Sequence, residues 1–336
     1  MGGPSSASDG GVASEPPTLG VMAPNLSVDL APGHKTGLVL SNPVMTASGT
    51  FSWGFEFAKQ FDINRLGAVV SKGVTPLPRA GNPQPRVAET PGGMLNSIGL
   101  QNVGLDKVID EFAPQWAKWD VPVIVNIAAD TIEEFGEMAA ALDGIPGIAA
   151  LELNISCPNV DIGGIEIGQD PEASARATRA AVRNTDLPVI VKITPNVTDP
   201  VELALACEAE GAAAFCCINT VLGLAIDLKR RRPVLPRARG GLSGPAIKPI
   251  ALRIVYDVAR AVKVPVIGCG GIRTGEDAVE FLMAGATAVQ VGTATFANPR
   301  APLDVLDGLE AWLEREGVRD VNEIIGCALP EAVAKA

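Results

Sequence analysis

Apolar runs of strand length recur along the chain and alternate with stretches in which apolar residues follow helical spacing. The strand-like runs are apolar at almost every position, and Pro, Gly or Asn residues bound most of them. The predicted strands are Pro43–Ser48, Gly67–Gly73, Pro122–Ala128, the run that starts at Ala150 and stops at Pro158, Pro188–Thr194, Ala213–Thr220, Pro265–Gly271 and Ala286–Thr293.

The stretches between these runs are predicted to be helices and loops. The predicted helices are Trp53–Phe61, Asp106–Trp119, Thr131–Leu142, Pro171–Arg183, Asp199–Glu210, Ile247–Val262, Gly275–Ala284 and Pro302–Glu316. The predicted loops are Val74–Asn102, Val221–Gly244 and the glycine-rich segment Asp161–Gly168. Before the first strand, Leu26–Leu30 and Gly37–Leu40 flank a Pro-Gly turn and are predicted to form a short hairpin.

Strands that are apolar on both faces are typical of a parallel sheet covered by helices on each side. Eight strand–helix units in about 270 residues favour a closed (β/α)8 TIM barrel, an α/β fold, over an open doubly wound sheet. We therefore expect residues 25–336 to form one barrel domain. Residues 1–24 are rich in Gly, Ser and Pro and lack an apolar segment, so we expect a disordered tail and no signal peptide.

Composition narrows the possible functions. The formal net charge of −11 argues against a nucleic-acid or anionic-membrane surface. The six cysteines form no C-x-x-C pair, which argues against a structural zinc or an iron–sulfur cluster on this chain and suits a cytoplasmic location. His34 is the only histidine, so a His-dependent triad and a multi-His metal site are excluded, and we expect no metal site.

Polar residues stand at the ends of the predicted strands, where TIM barrels carry their functional groups. These strand-end residues are Ser48, Gly49, Lys72, Gly73, Asn126, Asn154, Cys157, Lys192, Asn219, Thr220, Gly270, Gly271, Gly292 and Thr293. A single buried Asn or Lys can be a satisfied core residue, but five at the same level of five strands predict a common site, since burying them without partners is costly.

The glycines after the last two strands occupy the place where many barrels bind a phosphate through backbone N–H groups. Tight strand-to-helix turns also need glycine, so each pair alone is weak evidence. Their presence on adjacent strands favours a phosphate, with the attached ring system over the barrel centre.

Cys157 stands out among the cysteines because it lies at the exit of a strand among polar neighbours. A lone cysteine is more often a small core residue, and the lack of a suitable histidine excludes a Cys–His nucleophile. We therefore predict that Cys157 acts as a general base toward a carbon acid, with Lys72 and Lys192 stabilising negative charge.

Several longer segments resemble one known family, the dihydroorotate dehydrogenases. They are Asn42–Gly49, Ser71–Thr75, Gly81–Arg86, Glu89–Asn102, Asn154–Asn159, Ile218–Thr220, Gly240–Pro249 and Gly268–Ile272. The nearest subgroup is class 1B, the catalytic subunits of the NAD-dependent enzyme. The resemblance runs from about residue 25 to the C-terminus and leaves out the N-terminal tail.

The resemblance implies oxidation of (S)-dihydroorotate to orotate in pyrimidine (UMP) biosynthesis, with one FMN at the top of the barrel. By this resemblance, Cys157 stands at the position of the family's base, which takes a proton from C5 while hydride leaves C6 for flavin N5. Class 2 members carry serine at this position. The implied substrate-binding residues are Lys72, Asn96, Ser97, Ile98, Gly99, Leu100, Asn154, Asn219 and Thr220. The implied flavin-binding residues are Ser48, Lys72, Gly73, Asn126, Asn154, Lys192, Ile218, Gly244, Gly270, Gly271, Gly292 and Thr293.

In class 1B enzymes, electrons reach NAD through a second subunit that carries FAD and a 2Fe–2S cluster. This sequence lacks a GxGxxG fingerprint and a cysteine cluster, so the resemblance implies such a partner, in a heterotetramer built on a homodimer. A basic run stands out in this acidic chain, namely Lys229–Arg232 with Arg237 and Arg239. Three roles stay open for it: it docks the partner, it guards the pyrimidine site, or it is the face of a solvated loop.

Three alternatives stay open at this point. A class 1A-like enzyme that reduces fumarate and a dihydropyrimidine dehydrogenase-like barrel share the fold and the cysteine base. A catalytically inactive barrel that serves as a scaffold is the third, and it differs from the others because it would bind no flavin.

Overall fold

The structure is a computed structural model that describes residues 1–3, 23–155 and 164–330. The predicted disordered tail therefore lies outside the described residues except at 1–3 and 23–24. Cys157 also lies outside them.

Eight parallel strands form the centre of the molecule, and from the second to the eighth each pairs with the next one in this series. They are β1 (Val44–Thr46), β2 (Val69–Val70), β3 (Val123–Ile127), β4 (Ala150–Leu153), β5 (Val189–Ile193), β6 (Ala214–Cys217), β7 (Val266–Cys269) and β8 (Ala288–Val291).

Two contacts of β1 close this sheet into a barrel. On one side β8 pairs with β1 in parallel, with Val289 opposite Val44. On the other side, Met45 forms a parallel bridge with Ala68, and the Thr46 N–H donates to the Ala68 carbonyl at 3.2 Å. The predicted TIM barrel is confirmed, and each strand lies inside its predicted run.

Helices follow the strands and cover the barrel. Their bounds are Phe55–Ala58, Leu105–Lys107, Ala113–Trp116, Ile132–Leu142, Gly164–Gln169, Pro171–Val182, Pro200–Glu208, Lys248–Ala261, Gly275–Met283, Ala294–Ala297 and Ala301–Glu316. Short 3-10 helices occur at Ile63–Arg65, Pro245–Ile247 and Val321–Glu323. The side chain of Thr131 caps the helix Ile132–Leu142 by accepting from the Glu134 N–H.

One helix prediction and one loop prediction need correction. The stretch predicted as one helix from Asp106 to Trp119 is interrupted by a π-helical segment, Val108–Phe112. Pro114 explains the wider turn, because it lacks an N–H and its ring crowds the carbonyl of Asp110. The segment predicted as a glycine-rich loop, Asp161–Gly168, is helical from Gly164 onward.

The two long predicted loops contain strands, so the prediction of loops there was wrong. Four strands, Val87–Thr90, Gly93–Asn96, Arg239–Ser243 and Val221–Leu224, form an antiparallel sheet in that order, which we call the cap sheet. In its centre, Asn96 pairs with Gly241 across the two loops. A further small hairpin joins Ile226–Asp227 to Arg232–Pro233.

The predicted N-terminal hairpin is confirmed and pairs Val28–Asp29 with Val39–Leu40. Leu30 and Leu40 are fully buried against the barrel. The Thr36 hydroxyl donates to the carbonyl of Asp186, shortly before β5 begins. The hairpin therefore lies at the amino ends of the barrel strands, opposite the end that carries the predicted site. Within the described ranges, every helix is too short or too polar to cross a lipid bilayer.

Candidate active site

A cavity of about 990 Å³ lies between the carboxyl ends of the barrel strands and the cap sheet. All eight strands contribute wall residues at or just after their last positions. The cap sheet contributes Thr90, Met94 and Asn96 from the opposite side. The cavity thus has the position that barrel enzymes use for catalysis and a volume typical of cofactor and ligand sites.

Most of the predicted site residues meet in this cavity. Those that line it are Ser48, Lys72, Gly73, Asn96, Ile98, Gly99, Leu100, Asn126, Asn154, Lys192, Ile218, Asn219, Thr220, Gly244, Gly270, Gly271, Gly292 and Thr293. The convergence follows from the fold, because residues at the ends of parallel barrel strands share one rim.

Ser97 is placed differently. Its hydroxyl accepts a hydrogen bond from Asn82 Nδ2 at 3.0 Å, and its N–H donates to the Arg86 carbonyl at 2.7 Å. Ser97 is buried and is not part of the cavity wall. Its contacts instead hold the segment that brings Ile98 and Leu100 to the cavity.

Beneath the cavity lies a buried polar cluster that includes two residues missed from the sequence, Glu152 and Gln290. Glu152 Oε1 accepts from Asn126 Nδ2 at 2.7 Å, and Oε2 accepts from Gln290 Nε2 at 2.6 Å. Lys192 Nζ donates to Gln290 Oε1 at 3.0 Å and lies 3.5 Å from Glu152 Oε1. All four side chains are at least 95% buried, so each depends on the others for hydrogen bonds.

The cluster continues into the cavity wall as a chain of amides. Asn154 Nδ2 donates to Asn126 Oδ1 at 3.4 Å, and Asn219 Nδ2 donates to Asn154 Oδ1 at 3.3 Å. Asn219 Oδ1 in turn accepts from the Thr220 N–H at 2.8 Å. Gly73 packs against this chain so closely that a Cβ there would lie 2.9 Å from Asn126 Oδ1.

The two lysines of the wall have opposite pKa shifts. Burial alone would lower the pKa of Lys192, but the neighbouring Cys216, Glu152 and Cys269 outweigh it and raise that pKa above the usual value. Lys192 is therefore a permanent cation beneath the cavity. The pKa of Lys72 is lowered, mainly by burial and to a smaller extent by the positive charge of Arg86.

Lys72 differs from Lys192 in its partners as well. Its side chain is half-buried at the cavity wall, and its ammonium makes no ion pair among the described residues. Such a cation is suited to an anionic group brought by a ligand.

The glycines after β7 and β8 form a close-fitting backbone cradle. Gly270 and Gly271 have φ angles of 132° and 83°, and a Cβ on Gly271 would lie 2.6 Å from Lys248 Cβ. Within the described chain, the N–H groups of Gly270, Gly271, Gly292 and Thr293 donate to no backbone carbonyl. Backbone N–H groups that have no backbone acceptor and belong to residues of one cavity wall fit a phosphate.

Thr90 adds a second unsatisfied group. It lines the cavity from the cap sheet, and its buried hydroxyl oxygen has no hydrogen-bond partner among the residues that the structure describes. A buried polar atom without a partner is costly in a folded protein. The cavity volume, the cradle and this hydroxyl together fit a large phosphorylated cofactor.

Comparison with known proteins agrees with this arrangement. A sequence model of the family described as dihydroorotate dehydrogenase matches residues 34–313. The protein of Geotalea uraniireducens (strain Rf4) named "Dihydroorotate dehydrogenase B (NAD(+)), catalytic subunit" is 55% identical over 306 residues, which cover 91% of this chain and 99% of that protein.

Two further relatives carry the same name. That of Trichlorobacter lovleyi is 55% identical over 305 residues, or 91% of this chain and 99% of the relative. That of Geotalea daltonii is 54% identical over 303 residues, or 90% of this chain and 98% of the relative. By both the family match and the extent of these identities, the chain belongs to the dihydroorotate dehydrogenase family.

Proposed function

We propose that this chain catalyses the oxidation of (S)-dihydroorotate to orotate in pyrimidine biosynthesis, as the catalytic subunit of an NAD-dependent enzyme. The observation that carries the proposal is the cavity in which all eight strand ends meet, since it combines an available cation, directed amides and a glycine cradle. Relatives with the corresponding name match over nearly their whole length.

The substrate has a ring of alternating carbonyl and N–H groups and one carboxylate. Amide side chains can pair with both kinds of ring group, because each offers a donor and an acceptor. Asn96, Asn154 and Asn219 are the amides that we assign to the ring, and Lys72 is the cation that we assign to negative charge on the substrate. Ile98, Gly99, Leu100 and Thr220 complete the wall around this group.

FMN is the cofactor that we propose for the remainder of the cavity. When bound, it supplies the hydride acceptor. Its phosphate would be held by the N–H groups of Gly270, Gly271, Gly292 and Thr293, because these have no backbone acceptor among the described residues. The residues that we assign to its ring and side chain are Ser48, Gly73, Asn126, Lys192, Ile218 and Gly244.

Lys192 would act on that ring as a fixed positive charge. Its raised pKa keeps it protonated over the working pH range, so it stabilises negative charge without taking part in proton transfer. Glu152 and Gln290 hold its ammonium in place.

We propose Cys157 as the base that removes the proton from C5 of the substrate. It lies outside the described residues, so the support is its place in the sequence. It follows Asn154, which lines the cavity, by three positions in the segment Asn154–Asn159. The single histidine, His34, lies in the hairpin region at the other end of the barrel, so it is not available as the base.

The relatives are named as catalytic subunits, which implies a second subunit. We propose that this partner is an iron–sulfur flavoprotein carrying FAD and a 2Fe–2S cluster, and that two copies of each chain form a heterotetramer. We propose that the assembly operates in the cytoplasm, since the cysteines among the described residues are all free thiols.

The decisive experiment is a steady-state assay of the purified chain with dihydroorotate and, separately, NAD, fumarate or a quinone, with and without the partner. We expect a yellow protein that reduces NAD only when the partner is present. Turnover with fumarate by the chain alone would support a class 1A-like enzyme. Faster turnover in a parallel assay with dihydrouracil than with dihydroorotate would support a dihydropyrimidine dehydrogenase-like activity. A colourless protein would contradict the proposal.

A further inference from the structure

Glu152 is fully buried in β4, two positions before Asn154 and on the same side of the chain, and the proposed function gives it only the task of holding Lys192. A charge in such a place is costly unless its partners satisfy it. Both carboxylate oxygens are satisfied here, by Asn126 and Lys192 on one side and by Gln290 on the other.

An ionised carboxylate only accepts hydrogen bonds, whereas an amide can be turned to donate or accept. Asn126 must therefore direct its Nδ2 toward Glu152, which leaves its Oδ1 for Asn154 Nδ2. Asn154 must in turn direct its Oδ1 toward Asn219. The Asn219 amide has the same direction, because its Oδ1 accepts from the Thr220 N–H and its Nδ2 therefore faces Asn154.

We propose that Glu152 is a positioning residue for ligand binding. Its carboxylate sets a single direction for the amide chain from Asn126 through Asn154 to Asn219, so that Asn154 offers an N–H donor to the cavity. Asn154 has a second N–H on Nδ2 that meets no acceptor among the described residues. A ligand with carbonyl or carboxylate oxygens, such as orotate, suits that donor, and in this respect the inference rests on the proposed function.

Replacing the carboxylate by an amide would leave the chain without a consistent direction. The side chain in Glu152→Gln accepts at one atom only, so either Gln290 or Asn126 must turn round. Gln290 is prevented from turning, because its Oε1 accepts from Lys192 Nζ. The Asn126 amide would therefore have to turn round. Two Nδ2 groups would then oppose each other, either those of Asn126 and Asn154 or those of Asn154 and Asn219.

Two substitutions at Glu152 separate its effect on the direction of the amide chain from the effect of its side-chain size. Glu152→Gln keeps the size and loses the acceptor-only character, whereas Glu152→Asp keeps the acceptor-only character and loses one methylene. Thr178→Val is the matched control, since the Thr178 hydroxyl is equally buried but bonds to the Ser174 carbonyl and the Cys207 side chain, and none of these three residues lines the cavity. Each FMN-loaded protein is titrated with orotate, the Kd is read from the flavin absorbance, and KM and kcat for dihydroorotate and the melting temperature are measured.

We expect Glu152→Gln to raise the orotate Kd and the dihydroorotate KM at least about tenfold, as for a lost hydrogen bond of a charged group. The kcat should fall by a smaller factor. Glu152→Asp should raise the Kd less than Glu152→Gln does, and Thr178→Val should lower the melting temperature with the Kd unchanged.

A Kd within twofold of the parent in Glu152→Gln would overturn the inference. Weaker binding in Glu152→Asp than in Glu152→Gln would also overturn it, because that ranking is expected if Glu152 only fills space. If Glu152→Gln does not fold, Asn126→Leu takes its place, because it removes the amide through which Glu152 directs Asn154. A several-fold rise in Kd then supports the inference and an unchanged Kd overturns it. A parent protein without flavin or turnover would instead contradict the proposed function.

Discussion

The ammonium of Lys192 lies 3.5 Å from the carboxylate of Glu152, and at most 5% of either side chain is exposed. The two residues stand on neighbouring strands, β5 and β4, directly below the cavity. Removing two charges from water is costly, and a buried pair repays that cost only when further hydrogen bonds satisfy both partners. Asn126 and Gln290 provide those bonds.

Breaking this pair on one side should therefore destabilise the fold. We expect Lys192→Met to lower the free energy of unfolding by about 3–5 kcal/mol, because it leaves the Glu152 carboxylate buried without its cation. Chemical denaturation of the flavin-free protein measures the loss. Lys35→Met removes an exposed ion pair with Asp186 and should cost much less. Equal losses in the two variants would contradict the expected role of the buried pair.

Ligand binding should depend on pH through Lys72. Burial and the neighbouring Arg86 lower the pKa of its ammonium, so the charge is lost at a lower pH than for a free lysine. An anionic ligand binds the protonated form, so the orotate Kd should rise as the pH rises through that lowered pKa. In Lys72→Arg the charge persists to higher pH, and the rise should disappear. Flavin absorbance titrations at several pH values measure the Kd, and identical pH profiles for parent and variant would exclude Lys72 as the titrating group.

The barrel and the strand-end residues were predictable because their signal is local. A run of apolar residues followed by Lys, Asn or Gly identifies both a strand and its end, and the fold then brings the ends together. The cap sheet gave no such signal. It pairs Asn96 with Gly241, residues separated by 145 positions, and its strands are short and rich in glycine, so neither segment indicates a strand without the other.

Glu152 and Gln290 were missed for a different reason. Each stands inside an apolar run that was interpreted as uniformly core-forming. The alternation of side chains along a strand could have identified them, because Glu152 shares a face with Asn154, and Gln290 shares one with Gly292. A polar residue two positions before a predicted site residue therefore points into the same part of the barrel.

The glycine cradle should tolerate no side chain. We expect Gly271→Ala to raise the Kd for FMN at least about tenfold, because the added Cβ would lie 2.6 Å from Lys248 Cβ and the backbone would have to move. Fluorescence quenching of FMN by the flavin-free protein measures the Kd. Gly144→Ala is the control, since Gly144 also has a positive φ, 67°, but a Cβ there meets no atom within 4 Å. It should lose stability, by about 1 kcal/mol, and keep its FMN affinity. Equal FMN affinities in the two variants would contradict the cradle.

The assignment of Cys157 as base makes a separate prediction about rate. We expect Cys157→Ala to bind FMN as the parent does and to lose about 10²–10⁴-fold in kcat near neutral pH, the usual contribution of a general base. Cys157→Ser should keep part of the activity, with its pH profile shifted upward, because a hydroxyl is a weaker acid than a thiol. Cys327→Ala, which removes an exposed thiol, should retain parental kcat. Since flavin content is measured on the same samples by absorbance, a fall in kcat that merely follows lost flavin would be recognised, and near-parental turnover in Cys157→Ala would exclude this residue as the base.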